Sequence, residues 1–200
     1  SSALLEILEI CAQVRVARLA HEDEPQLHRS PCLGTSSGTG RQRALRQSLL
    51  DYVTNGGGVV SVHYAIAANA HWPEFTALLG AKFTGHPWNE DIGVTVEEPA
   101  HPLVAAFGGG DFRLADEIYE YGEPYDRSKL RVLLSLDPAK SNMGVKWINR
   151  RDNDFALAWV KTYGQGRVFN TSFGHRTELF WDPRLLQFYA DAIPVSYTHL

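Results

Sequence analysis

The sequence predicts a single α/β domain: a mainly parallel sheet covered by helices, with antiparallel additions at one side. Three observations carry this. Helical stretches alternate with short apolar strands in the first half, and strand pairs dominate the second. The chain has 200 residues, 44% of them hydrophobic and 21% charged, enough to bury one sizeable core and too few for two full domains.

Residues 3 to 10, ALLEILEI, space their apolar positions as a helix does, and VRVARL at 14 to 19 alternates as a strand. HEDEPQLHRSPCLGTSSGTG, 21 to 40, has no apolar period and reads as a loop of unusual length. From Arg41, RQRALRQSLLDYVTN forms an amphipathic helix with Leu45, Leu49, Leu50 and Val53 on one face, closed by Gly56, Gly57 and Gly58. A buried strand follows at 59 to 63, ending on His63. Pro73 to Leu79 reads as a helix stopped by Gly80. GVTVEE (93 to 98) alternates, DEIYEY (116 to 121) is a strand, and RVLLSLD (131 to 137) is apolar enough to be covered on both faces. FALAWVKTYG (155 to 164) and GRVFNTSFGH (166 to 175) make a hairpin about Gly164-Gln165-Gly166. The last helix, DPRLLQFYADAI, takes Asp182 as N-cap and Pro183 as first residue. VSYTHL, 195 to 200, reads as translated sequencing-adapter DNA, so 194 to 200 is set aside together with His199. The domain is expected over 1 to 193, and the native chain is expected to continue past that point.

Charge and composition narrow the function classes. A formal net charge of −4 provides no general field for nucleic acid or an anionic membrane. No stretch approaches the roughly 20 apolar residues of a membrane-spanning helix. Cys11 and Cys32 are too few for a disulfide framework, which fits a reducing cytoplasm. Residues 1 to 10 carry Glu6 and Glu9 without a basic start, unlike a signal peptide, although the lack of an initiator Met leaves a removed leader open. Whether the chain forms a homo-oligomer is not written in its composition.

In a sheet of this kind ligands bind at the carboxyl ends of strands, where His63 and His175 both fall. His71, His86 in GHP and His101 in AHP add imidazoles; Asp116 and Glu117 add carboxylates; Tyr119 and Tyr121 add phenols. Groups converging from several elements are how a small-molecule pocket is built. Imidazole and carboxylate are also the usual ligands of catalytic Zn or Mn, which makes His63, His86, His101, Glu117 and His175 the candidate metal set, although no HxH, HExxH or CxxC spacing occurs. Plainer readings stand beside these. His63 would cap a strand end by bonding a backbone carbonyl, His86 and His101 would sit in proline-directed turns, and Asp116 and Glu117 would line an exposed edge. The alternation of Glu117, Tyr119 and Tyr121 favours a polar pocket wall. Gly56-Gly57-Gly58 satisfies neither phosphate-loop pattern. His63 lies between Ser61 and Ala65, so the G-x-S-x-G elbow is absent, and the two cysteines lie too early for a thiol nucleophile.

LLDYVTNGGGVVSVHYA, W-x-E-F-x-x-L-L-G-A-x-F-x-G-H-P (Trp72 to Pro87), VEEPAHPL, DEIYEY and YGQGRVFNTSFGH occur in an order that resembles the ThuA-like, trehalose-utilisation family, itself similar in fold to class I glutamine amidotransferases. The resemblance runs over roughly 44 to 193. It implies a flavodoxin-like three-layer sandwich in which His63 stands about where the amidotransferases carry their cysteine. It also implies trehalose or related disaccharide use, with keto-sugars among the substrates. On that reading His63 and His175 are acid/base or metal-ligand groups and Glu117 is their carboxylate partner. Tyr64, Trp72, His86, Asp116, Tyr119 and Tyr121 would contact the sugar, with Trp72, Tyr119 and Tyr121 as its aromatic faces. Isomerase, hydrolase or lyase chemistry would fit, and the alternative is a non-catalytic sugar- or protein-binding module. Residues 1 to 43 depart from the family pattern, for no second apolar strand appears before the helix at 41.

Overall fold

Proline opens the helices that begin at 73 and 183, and glycine closes those that end at 54 and 79. The computed structural model describes residues 40–195, all within one structural unit, Thr35–Leu200. The helix and strand expected over 3 to 19, both cysteines, and the loop at 21 to 39 lie outside the described residues. Helix α1 spans Gly40–Thr54, and the Gly56 and Gly57 amides bond back to the Val53 and Tyr52 carbonyls to end it. Val53 of the expected apolar face is fully buried, whereas Leu45 is exposed. Strand β1 (Gly58–Val62) leads into the short helix α2 (Tyr64–Ala68), and α3 (Pro73–Leu79) stops at Gly80 in a left-handed conformation. Then come β2 (Lys82–Val96), a 3₁₀ turn (Pro102–Phe107), β3 (Phe112–Gly122), β4 (Arg131–Leu136), β5 (Ala156–Tyr163), β6 (Gly166–Thr171) and α4 (Pro183–Val195). Asp182 caps α4 as expected: its carboxylate accepts the Arg184 amide at 2.9 Å.

The six strands lie in the order β1-β6-β5-β4-β2-β3. Among the described residues only β1 and β6 run parallel; the other four pairings are antiparallel. The expectation of a mainly parallel sheet is thereby corrected to a mixed one. The cause is local. The β5–β6 connection is too short for a crossover, Gly164 taking a left-handed φ in a tight turn, and β2 and β3 form one long antiparallel ribbon. At Gly166 an added Cβ would fall on the Val53 and Gly57 carbonyls, so the hairpin and the end of α1 approach as only glycine allows.

Helices cover both faces of the sheet. On one, the Trp159 indole donates to the Leu79 carbonyl of α3 at 2.9 Å. On the other, Leu185, Phe188 and Ala192 of α4 are buried, with Phe188 edge-on to Phe169 at 5.2 Å. β4 is buried at five of its six residues, as its unbroken apolar run predicts. β2 begins eleven residues earlier than GVTVEE indicates, because the GHP segment is a kink within a strand. Gly85 pairs with Glu120 and Trp88 with Ile118, so His86 and Pro87 together oppose Tyr119. This is a β-bulge, which accommodates proline and turns a side chain out of its ordinary alternation.

Candidate functional site

His63 is the residue on which the strand turns. Its amide continues the ladder by donating to the Thr171 carbonyl at 2.8 Å, and its own backbone then swings to φ 45°, ψ −107° before α2 begins at Tyr64. A strand, a strained residue and a helix in that order reproduce the elbow that presents a nucleophile in hydrolases, here without the flanking glycines and with an imidazole at the apex. Such a conformation costs about 1–3 kcal/mol and persists only where its surroundings enforce it.

The surroundings define the ring. His63 Nδ1 lies 2.6 Å from the Ser172 carbonyl oxygen, which can only accept, so Nδ1 carries the hydrogen. Nε2 is left to the side chains of β3, 3.0 Å from the Tyr119 hydroxyl and 3.3 Å from Glu117 Oε2. The His63 ring also stacks on Tyr119 at 4.3 Å. Burial, with the Glu117 carboxylate next in importance, pushes the Tyr119 hydroxyl well above the ordinary tyrosine range. Tyr119 therefore keeps its proton.

Glu117 is the hub. Its Oε2 lies 3.3 Å from His63 Nε2 and 3.4 Å from His175 Nδ1, and its Oε1 lies 3.1 Å from His86 Nδ1. The bulge at His86-Pro87 is what brings His86 to that oxygen. One donor atom each from His63, Glu117 and His175 fall within 4.8 Å of one another. His63 is buried at the base, while the His86 and His175 side chains are about half exposed at the rim.

His175 is held through its backbone. Asp116, fully buried, accepts the amides of Gly174 at 2.8 Å, His175 at 3.4 Å and Arg176 at 2.9 Å. Arg176 in turn donates to Asn89 Oδ1 at 2.9 Å and ties the loop to β2. Glu120, also buried, secures the Asn149-Arg150 backbone in the same manner. The two acids flank Glu117 on β3 and serve as anchors for loops.

The predicted site residues thus divide. His63, His86, Glu117, Tyr119 and His175 come together, and Tyr64, next to His63, is exposed. Asp116 is no sugar contact, for its oxygens are occupied by backbone. Trp72 and Tyr121 are each 3% exposed and cannot offer a face to a ligand. Trp72 stacks on Phe75 beneath the Arg46 guanidinium, and Tyr121 packs edge-on against Trp159. His101 stands apart from the group: its Nδ1 accepts the Leu103 amide and caps the 3₁₀ turn. Sequence reasoning missed Ser172, which acts through a carbonyl and leaves no side-chain signal. It also missed Asn89 and Arg176, polar residues without a motif.

Comparison with known proteins bears on the family and the fold. No curated protein matches the chain. Among solved structures, a ThuA-like protein from Bacteroides uniformis is similar at 28% identity and a TM-score of 0.62, covering 76% of this chain and 62% of its own. This chain therefore spans less than two thirds of that relative's length. A ThuA-like protein from Parabacteroides merdae aligns at 20% identity and TM-score 0.56 over 78% of this chain and 67% of its own. A cytoplasmic protein from Salmonella typhimurium aligns at 14% identity and TM-score 0.53 over 76% and 60%. No helix among the described residues is long and apolar enough to cross a membrane. The family model described as ThuA, trehalose utilisation, matches residues 27–194, every described element but the last residue of α4, and the chain belongs to that family.

Proposed function

We propose that the protein acts on a sugar or keto-sugar of disaccharide utilisation, bound in the crevice where His63, His86, Glu117, Tyr119 and His175 meet. The observation that carries this reading is the convergence of three imidazoles on one carboxylate at the carboxyl end of β1, with the innermost histidine in an elbow conformation. Side chains of this kind serve sugar chemistry in two ways: they move protons to and from hydroxyl oxygens or the carbon beside a carbonyl, or they hold a cation that polarises such oxygens. Positioned proton transfer contributes about 10²- to 10⁴-fold. Tyr119 supplies a hydroxyl that stays protonated, and Tyr64 an exposed ring beside the rim.

The parallel β1–β6 pair, with His63 at its end, supports relating the scaffold to the flavodoxin-like amidotransferase fold. An imidazole at the apex supports chemistry other than thiol-dependent amide hydrolysis. The cytoplasmic designation of the Salmonella relative supports a cytoplasmic location. The test is incubation of the full-length protein, with and without added Zn²⁺, with trehalose and with its keto-derivative in deuterated buffer, followed by NMR. The expected result is conversion, or deuterium uptake beside the keto group, that His63→Ala abolishes. Sugar that binds and stays chemically unaltered makes the protein a binding module.

A further inference from the structure

We infer that His63 Nε2, Glu117 Oε2 and His175 Nδ1 together hold one divalent cation of the zinc class, with a coordination position open to the crevice. The inference rests on the reading just given and deepens it by naming the cofactor of that site.

The spacing of the donor atoms is the first argument. A tetrahedral ion with bonds of about 2.1 Å sets its ligands about 3.4 Å apart. Two of the three separations match: Glu117 Oε2 lies 3.3 Å from His63 Nε2 and 3.4 Å from His175 Nδ1. The two nitrogens are bounded by 4.8 Å, and an ion held by both would draw them to about 4.2 Å or closer, a movement open to the half-exposed His175 ring. Tautomer is the second. Because His63 Nδ1 gives its hydrogen to the Ser172 carbonyl, Nε2 presents a lone pair toward a carboxylate oxygen. Two acceptors facing each other at this distance are bridged by a proton or by a metal ion, and the neutral ring, with Tyr119 beside Nε2 at 3.0 Å, leaves that position available to the ion. A ligating histidine whose other nitrogen donates to a backbone carbonyl is the arrangement that fixes ring orientation at metal centres.

Support behind each ligand is the third argument. His63 is set by its elbow backbone and by Ser172. The second oxygen of Glu117 is engaged by His86 Nδ1 at 3.1 Å, and Asp116 fixes the loop that carries His175 through three amides. Two imidazoles and one carboxylate suit borderline ions such as Zn²⁺ over Mg²⁺ or Ca²⁺, which prefer all-oxygen shells. Three protein ligands beside a half-exposed rim leave space for water or a sugar oxygen, the form taken by catalytic rather than structural zinc. Were the ion held on Nε2, the Tyr119 hydroxyl beside it would be free to donate to a water or sugar oxygen instead.

The test uses the full-length protein, stripped with chelator and dialysed against ZnCl₂, with metal content measured by mass spectrometry and Co²⁺ absorption read in parallel. The expected result is one Zn²⁺ per chain and a Co²⁺ spectrum of low-coordinate intensity. Glu117→Gln and His175→Ala should each weaken binding by at least about tenfold, in the range of ligand-support losses at metal sites. His101→Ala, remote from the group, should retain full binding. Circular dichroism of each variant confirms folding, and His175, half exposed, is the substitution least able to disturb the core. Absence of stoichiometric Zn²⁺, or binding unchanged in the folded His175→Ala and Glu117→Gln variants, overturns the site and leaves a hydrogen-bonded imidazole–carboxylate cluster. Zinc bound without sugar turnover sustains the site and defeats the functional reading; sugar turnover that neither needs nor binds zinc does the reverse.

Discussion

His63 and Glu117 meet at 3.3 Å although their strands, β1 and β3, lie at opposite ends of the six-strand order. The β2–β3 ribbon curls until the far edge of the sheet stands over the carboxyl end of β1. His86 reaches the same carboxylate from the bulge in β2, so groups from both ends of the strand order meet at Glu117.

The elbow makes a prediction about backbone strain. A residue at φ 45° is disfavoured for every side chain with a Cβ, so His63→Gly should be more stable than His63→Ala despite its greater loss of atoms. The difference should be about 1 kcal/mol, read from urea denaturation of the two variants side by side. An alanine variant as stable as the glycine one would mean that the chain relaxes out of the elbow.

Asp116 should behave as an anchor. Asp116→Asn places an amide NH₂ where backbone N–H groups now donate, leaving buried donors unpaired at a cost of about 1–3 kcal/mol. The same substitution type at the second anchor, Glu120→Gln, should destabilise similarly but leave the His175 imidazole resonances unmoved. Heteronuclear NMR of the histidine side chains separates the two, since only Asp116→Asn should shift His175.

His86 carries a different signature. Its side chain is 51% exposed, so His86→Ala should change stability by less than about 0.5 kcal/mol while reducing sugar turnover at least tenfold. Thermal denaturation and a rate measurement on one preparation check both halves.

The fold left a plain record in the sequence wherever punctuation is covalent. Pro73 and Gly80 bound α3, Gly164-Gln165-Gly166 sets the hairpin, and Asp182-Pro183 opens α4, because each residue acts on the backbone at or next to its own position. The site was legible only in part. His86 and His101 both precede proline, and nothing local tells that one sits on a bulge facing Glu117 while the other caps a turn. Asp116 and Glu117 are neighbours of like chemistry, yet a strand's alternation sends one to the loop backbone and the other to the crevice. Trp72 and Tyr121 are aromatic whether they face sugar or core, and only packing decides. The first half of β2 was hidden because a bulge admits the glycine and proline that otherwise mark a turn.

His101 yields a pH prediction. Burial, and then the Arg131 charge, hold its pKa below the ordinary histidine value, with Glu98 opposing. The unfolded chain therefore binds a proton more readily than the folded one, so the contribution of His101 to stability is complete above the ordinary value and declines as pH falls through it. Protonation also removes the acceptor that Nδ1 offers to the Leu103 amide. His101→Asn keeps a capping oxygen without a titrating group and should flatten the fall in melting temperature between about pH 7.5 and 5.5, the region around the unperturbed histidine value. A melting profile identical to that of the unaltered protein would remove His101 from the pH response.

Conversion of a keto-disaccharide by the full-length protein and by Glu117→Gln, at matched folding and under the same metal supplementation, bears most directly on the role of the crevice. Glu117 touches all three imidazoles, so its loss should leave a folded protein whose rate has dropped by about 10²-fold or more. Equal rates for the two proteins would show that the chemistry takes place elsewhere.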